Sequence, residues 1–396
     1  MQYDEKMRKL KSMDDVRLDG KVALVRVDFN VAVGEDGVVD RNEDYRIEAA
    51  MPTIQELMQR RCKVLLLTHL GRPAEEEGDF SVAPIGRRLS DLLSEEVRLL
   101  KHLSGDGVRA AVAGLTPGSV ALLPNVRLDA REAAGSEKFA QELADVAEVY
   151  VNEAFSVSHR NHTSVALVPR LLPSCAGRRC VREVEILSKL SRHPQRPYVA
   201  IVSGAKVSTK LNLLERLLSQ VDHLCLGGVL ANTFLVSLRK CSIETCAASE
   251  LAAAEKLWSS AEAKIELPED VIVGSADGKD VRTVAVSEIP SDVGGVWDVG
   301  PATIKLYASF CREAQTILWN GPLGMYEEPA YQGGTKSFAK ELAALPGFRV
   351  VGGGDTVTAL EQMRLTRDFN HVSVGGGAML ALLEGKEMPG LEPLYA

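Results

Sequence analysis

The run RVVGGGDTVTALE, residues 349–361, sets a strand, a glycine turn and the start of a helix side by side. Val350 and Val351 end the strand. Gly352, Gly353 and Gly354 carry no side chains, so their N–H groups can lie directly against a ligand, and Asp355 and Thr356 sit where a helix begins. A helix N-terminus leaves unpaired N–H donors and about half a positive charge, which suits phosphate. A carboxylate there has two readings. Either Asp355 holds Mg²⁺, a hard ion that takes one or two carboxylates plus phosphate oxygens, or it caps the helix and the glycines form a tight turn. The stretch fits neither G-x-x-x-x-G-K-[ST] nor G-x-G-x-x-G, so spacing assigns no common nucleotide motif.

The chain around it has 396 residues, enough for about two or three domains and a sizeable core. Its 45% hydrophobic, 25% charged and 5% aromatic residues describe an ordinary soluble α/β protein. A net charge of -8 argues against nucleic acid as the main partner, since backbone neutralisation needs a basic face. The seven cysteines are scattered, and the closest pairs, Cys175 with Cys180 and Cys241 with Cys246, have no companion pair to make a metal site. Reduced thiols in a cytoplasmic protein are expected. The opening run MQYDEKMRKLKSMDD lacks an apolar h-region, and apolar runs such as 64–67 are strand-sized, so neither a signal peptide nor a membrane span is expected.

Residues 21–27, KVALVRV, read as a buried strand that delivers Asp28, Phe29 and Asn30 to its carboxyl end, the end that faces the ligand crevice in parallel α/β sheets. The pattern recurs. Strands at 63–67, 119–123 and 148–151 run into His69 and Arg72, into Asn125 and Arg127, and into Asn152 and Glu153, followed by His159, Arg160 and His162. Strand, polar tip and helix alternate as in a doubly wound sheet. One tip arginine is usually solvated, whereas Arg46, Arg72, Arg127 and Arg160 together could grip one multiply charged anion. His159 and His162 read as a hydrogen-bonded loop pair ahead of a metal site. A helix over 177–190 and the proline-broken run 191–197 then join the halves.

The second half repeats the alternation, with strands expected at 198–202, 223–226, 271–274, 316–319, 349–351 and 371–374. The first leads into Gly204, Ala205, Lys206 and Lys210, the two lysines being spaced for one face of a helical turn. Asn320 and Gly321 open a turn-rich loop, and Gly375, Gly376 and Gly377 repeat the triple-glycine turn. Two such turns indicate a lobe that handles phosphate.

Seven motifs in this order, RVDFN (26–30), LTHLGRP (67–73), NVR (125–127), GAKVS (204–208), WNGPLG (319–324), GGGDT (352–356) and GGGA (375–378), resemble phosphoglycerate kinase over residues 16–394. The resemblance implies α/β architecture with two doubly wound, Rossmann-like lobes: residues 1–177 completed by 379–396, a connecting helix and hinge at 178–197, and a nucleotide lobe at 198–378. It implies reversible phosphoryl transfer from 1,3-bisphosphoglycerate to ADP with Mg²⁺, giving 3-phosphoglycerate and ATP. The alternative is a divergent paralogue with altered nucleotide preference or reduced turnover.

Carried over by motif, Asp28, Asn30, Arg46, His69, Arg72, Arg127 and Arg160 would bind the phosphoglycerate. Gly204, Ala205, Lys206, Lys210, Gly228, Asn320, Gly321, Glu327, Gly352, Gly353, Gly354, Asp355 and Thr356 would bind the nucleotide, with Asp355 at the metal. Arg46, Lys206, Lys210, Gly354 and Gly377 would act in the transfer. A carboxylate leaving group needs no strong base, so alignment and charge neutralisation should dominate, in lobes that close to exclude water. A cytoplasmic monomer is expected, with no nucleic acid or membrane partner. Departures from the family pattern are Ser203 and Thr209, where glycine and aspartate are usual, Val229 at a usual third glycine, and Glu153, Ser156, Val157 and Ser158 in place of Asp, Gly, Thr and Ala. Val229 would point either into the nucleotide pocket or into the core.

Overall fold

The computed structural model describes residues 9–34, 36–40, 44–238, 247–290 and 294–396. The chain divides into two compact units, one running up to Ile186 together with Gly385–Ala396, the other Leu187–Glu384.

In the first unit, strands β1 (Val22–Arg26), β2 (Lys63–Leu67), β3 (Val97–Leu99), β4 (Val120–Leu122), β5 (Val149–Asn152) and β6 (Ser174–Ala176) form one sheet in the order β3-β4-β2-β1-β5-β6. Every pairing in it is parallel. Such strands are covered on both faces and need continuous apolar runs, which is why VALVR and KVLLL are buried almost throughout. One face packs Phe29, Ile47, Ile54 and Leu57, and the other Leu65, Phe139, Leu143 and Tyr150. β1 lies between β2 and β5, so the tips of three strands meet where the strand order reverses. The final segment belongs to this unit: Asn152 Nδ2 donates to Gly390 O at 2.9 Å, and the Lys11 N–H donates to Leu394 O at 2.8 Å.

The second unit contributes β7 (Tyr198–Ser203), β8 (His223–Gly227), β9 (Ile265–Glu266), β10 (Asp270–Val273), β11 (Arg282–Ala285), β12 (Val296–Val299), β13 (Thr316–Asn320), β14 (Phe348–Gly352) and β15 (His371–Val372). Its main sheet is again parallel, in the order β15-β14-β13-β7-β8-β9, and the order reverses between β7 and β13. The strand expected near 271–274 exists but belongs elsewhere. β10 pairs antiparallel with β11 and β12, because a parallel neighbour needs a crossover of about a dozen residues and β10 follows β9 almost at once.

Arg178–Arg192 is helical, as the spacing of its apolar residues predicts. Cys62, Cys175, Cys180, Cys225 and Cys311 are buried free thiols, while Cys241 and Cys246 lie outside the described residues. Among the described residues no helix is long and apolar enough to cross a membrane.

Candidate active site

In the first unit the chain leaves β1 at Arg26 and carries Asp28 and Asn30 past the sheet edge. Asp28 is 7% exposed, and its two oxygens are engaged differently. Oδ2 accepts from Arg46 Nη1 at 2.8 Å and from Ser156 Oγ at 2.6 Å. Oδ1 accepts from the Asn30 N–H at 3.2 Å and lies 3.8 Å from His69 Nε2. Burial works to raise the Asp28 carboxyl, but the Arg46 charge and the hydrogen bonds from Ser156 and the Asn30 N–H outweigh it and hold it below the usual carboxylate range.

His69 is kept neutral chiefly by burial. Arg26, Arg127 and Arg46 push the same way, and Asp28 opposes them. Arg26 Nη2 lies 3.3 Å from His69 Nδ1, and a guanidinium can only donate, so the ring hydrogen belongs on Nε2, facing Asp28. The loop after β2 is pinned from two sides: Asn30 Oδ1 accepts from the Gly71 N–H at 2.8 Å, and Arg127 Nη1 donates to Gly71 O at 2.7 Å.

Arg127 is pushed down to about 10 by burial and then by the charges of Arg26 and Arg160, with Arg72 adding and Asp28 opposing. Like charges gathered this closely are suited to a multiply charged anion. Arg160 Nε and the Nδ1 atoms of His159 and His162 are buried without a hydrogen-bond partner. The two Nδ1 atoms thus take no part in the hydrogen bonding expected of this histidine loop, while His159 keeps a hydrogen bond to the Ser156 backbone. His162 is driven to about 4 by burial and by the arginines around it, so at neutral pH it adds no charge. Arg72 stands apart, 58% exposed and paired with Glu75 at 3.0 Å.

In the second unit, β7 and β13 end side by side at Ser203 and Asn320. Beyond them is a cavity of about 320 Å³ lined by Ser203, Gly204, Lys210, Asn320 and Gly321, by Gly353, Gly354, Asp355 and Thr356, and by Gly376 and Gly377. Gly353, at φ +103°, is the N-cap of helix Gly354–Gln362, and a Cβ there would meet Asn320 Nδ2 at 3.1 Å. No side chain caps this helix, so the capping alternative for Asp355 is removed. Its carboxylate is exposed in the first turn and lines the cavity.

Lys210 Nζ donates to Asn320 Oδ1 at 2.7 Å, and Asn320 Nδ2 donates to Gly352 O at 3.0 Å, which ties three loops together. Burial brings the Lys210 ammonium down to about 8, against the pull of Glu384. Gly321 N–H donates to Thr356 Oγ1 at 3.0 Å. Among the described residues no cluster of three or more His, Cys, Asp or Glu could hold a metal alone.

Other expected positions lie outside this lining. Ala205, Lys206 and Glu327 are exposed, and Gly352 is buried at the end of β14. The two lysines do not share a helical turn, because the helix begins at Leu211. Thr209 Oγ1 bonds Lys206 O at 2.9 Å and Ser208 bonds Glu250, and such side-chain bonds hold a turn open. Gly228, at φ +61°, packs against Ser203, since a Cβ there would lie 2.6 Å from Ser203 Oγ. Val229 is 42% exposed, which rules out the core placement, and it is not part of the cavity lining.

Sequence reasoning missed Arg26 and Ser156. Arg26 is fully buried, donating from Nε to Ser164 Oγ at 2.9 Å, while Ser164 Oγ donates to buried Glu132 at 2.6 Å. Its signals were a cation inside the apolar run KVALVRV and its place as the first residue of the motif RVDFN.

Comparison with known proteins bears on the whole chain. A family model described as phosphoglycerate kinase matches residues 13–386. The phosphoglycerate kinase of Thermomicrobium roseum is 40% identical over 97% of this chain and 99% of its own length. That of Pelotomaculum thermopropionicum is 41% identical over 97% and 98%. The solved phosphoglycerate kinase of Coxiella burnetii superposes with a TM-score of 0.84 at 37% identity, covering 98% of this chain and 99% of that one. None of these gives support to a divergent paralogue, and with both sheets and the ordered motifs agreeing, the chain belongs to the phosphoglycerate kinase family.

Proposed function

We propose that the first unit binds phosphoglycerate through Asp28, Asn30, Arg46, His69, Arg72, Arg127 and Arg160, and that the second binds the nucleotide at the helix termini beyond β7, β13 and β14. The reaction is transfer of the acyl phosphate of 1,3-bisphosphoglycerate to ADP, with 3-phosphoglycerate and ATP as products. A terminal ADP oxygen forms the new bond to phosphorus while the bond to the carboxylate oxygen breaks. The leaving carboxylate takes the electron pair and needs no proton, so no strong general base is required.

What the chain supplies is alignment and charge. The N–H groups at Gly354 and Gly377 and the Lys210 ammonium would face the phosphates, Asn320 holds Lys210 in place, and by resemblance Lys206 and Arg46 are the cations assigned to neutralising phosphoryl charge. The residues present fit a divalent cation shared with the nucleotide: one exposed carboxylate, Asp355, lies beside helix N–H donors, and phosphate and water oxygens complete such a shell. Asp355 would hold Mg²⁺, which when bound supplies further neutralisation of phosphate charge.

The observation that carries this reading is a cavity in which Lys210, Asp355 and the N-terminus of Gly354–Gln362 meet. Calorimetry of ADP binding with and without Mg²⁺ tests it. Wild type should bind ADP more tightly with Mg²⁺, and Asp355→Asn should lose most of that gain. An unchanged Mg²⁺ dependence in the variant would remove Asp355 from the metal site. The family resemblance also supports a cytoplasmic monomer, and sedimentation of the purified chain checks the monomeric state.

A further inference from the structure

Of the side chains of Glu153, Ser156, Val157 and Ser158, only that of Ser156 reaches the anion site. Val157 is buried in a small apolar cluster with Ala154 and Val165. Ser158 Oγ is buried, donating to Ala154 O at 3.1 Å and accepting from Asn152 Nδ2 at 3.2 Å. Glu153 is turned toward Thr53 and the backbone N–H groups of Arg179 and Cys180. Ser156 Oγ donates to Asp28 Oδ2 at 2.6 Å.

The effect on Asp28 follows from its lone pairs. Oδ2 is held by two donors on different elements, Arg46 on helix Tyr45–Gln59 and Ser156 on the turn Phe155–Val157. Oδ1 has one long bond, from the Asn30 N–H at 3.2 Å, and stands 3.8 Å from His69 Nε2, so it retains capacity for a further donor. Two donors converging on one oxygen fix the plane of the carboxylate as well as its position. A glycine at 156 has no side chain with which to do this.

We propose that Ser156 is a positioning residue for the triose: by clamping Oδ2 it turns Asp28 Oδ1 toward the hydroxyl of a three-carbon hydroxy acid phosphate. The proposal rests on the placement of Asp28 in the phosphoglycerate site. Its consequence is discrimination. The clamp acts on ligands that carry the hydroxyl and leaves otherwise identical ligands unaffected.

The charged and titratable groups facing Asp28 are Arg46 and His69, with Arg127 and Arg26 behind them. None of these is removed by a substitution at 156. Loss of the Ser156 bond therefore acts on Asp28 alone and eases its protonation, so the acid limb of triose binding moves to higher pH.

Ser156→Ala, Ser156→Thr and Asp28→Asn are compared in the full-length enzyme. Dissociation constants are measured for 3-phosphoglycerate, for its analogue without the 2-hydroxyl, and for ADP. The expected result for Ser156→Ala is a loss of roughly threefold to tenfold for 3-phosphoglycerate, with an upward-shifted acid limb and no change for the deoxy analogue or ADP. Ser156→Thr, which keeps the hydroxyl, should restore most of the affinity. Equal losses for 3-phosphoglycerate and the deoxy analogue, or no loss for either, would overturn the role of Ser156 if Asp28→Asn does weaken 3-phosphoglycerate. If Asp28→Asn leaves 3-phosphoglycerate binding unchanged, the placement of the site falls, and the proposal falls with it.

Discussion

Glu153 gives the prediction that can be worked furthest from the structure. It follows β5, is 4% exposed, and sits at the start of helix Arg178–Arg192. Its Oε1 accepts from Thr53 Oγ1 at 2.7 Å and from the Arg179 N–H at 3.0 Å, and Oε2 accepts from the Cys180 N–H at 3.2 Å. Burial outweighs these donors and raises the carboxyl from an ordinary 4.5 to about 7. Cys175 and Cys180 close by are pushed up as well, so they stay thiols across the neutral range. The folded chain therefore holds this proton more tightly than the unfolded chain. Stability is fully present below pH 4.5 and is lost as pH rises toward about 7 and beyond, by about 3 kcal/mol at about 1.4 kcal/mol per pH unit. Glu153→Gln resembles the protonated form and removes the titration. Its stability should match wild type near pH 5 and exceed it by up to about 3 kcal/mol near pH 8. The assay is differential scanning calorimetry from pH 5 to 8, because all three tryptophans, Trp258, Trp297 and Trp319, lie in the other unit and their fluorescence would report that unit alone. Parallel stability curves for the two proteins would refute the reasoning and show that the N–H donors win over burial.

Arg72→Ala should weaken 3-phosphoglycerate roughly tenfold and leave ADP binding nearly unchanged in calorimetry with each ligand, since Arg72 belongs to the first unit. Equal losses for both ligands would mean that the two sites are wrongly assigned. Lys206→Ala should lower kcat about a hundredfold with little change in KM, as expected of a mobile ammonium that follows the transferring group, and a near-normal kcat in the coupled assay would exclude it. Gly353→Ala, at φ +103° and against Asn320 Nδ2, should lower stability by about 1 to 3 kcal/mol and weaken ADP but not 3-phosphoglycerate, as read by melting temperature and titration. Val229→Gly should leave ADP affinity within about twofold, because an exposed side chain outside the cavity lining cannot crowd the ligand.

What the sequence made legible is set by how far each feature depends on its neighbours along the chain. Strands such as YVAIVS and TILWN were readable because a covered parallel strand must be apolar at every position, and the glycine turns because strand, turn and helix start are consecutive. β3 and β6 were not, since VRL is mostly exposed at the sheet edge and SCA has no β-branched residue, so both are fixed by pairing with distant strands. The same division runs through the site. Asp28, His69 and Arg127 stand where apolar runs stop, and each can be found by that break. Arg26 lies inside such a run and looks like strand, although its guanidinium meets His69, 43 positions away. Ser156 meets Asp28 across 128 positions. Arg72, which looked the equal of the other arginines, instead pairs locally with Glu75. These partnerships arise because β1 lies between β2 and β5, an order that local patterns do not encode. Strand tips can be read residue by residue, but which tips share a pocket is decided by the order of strands in the sheet, and the roles of Arg26 and Ser156 follow from that order alone.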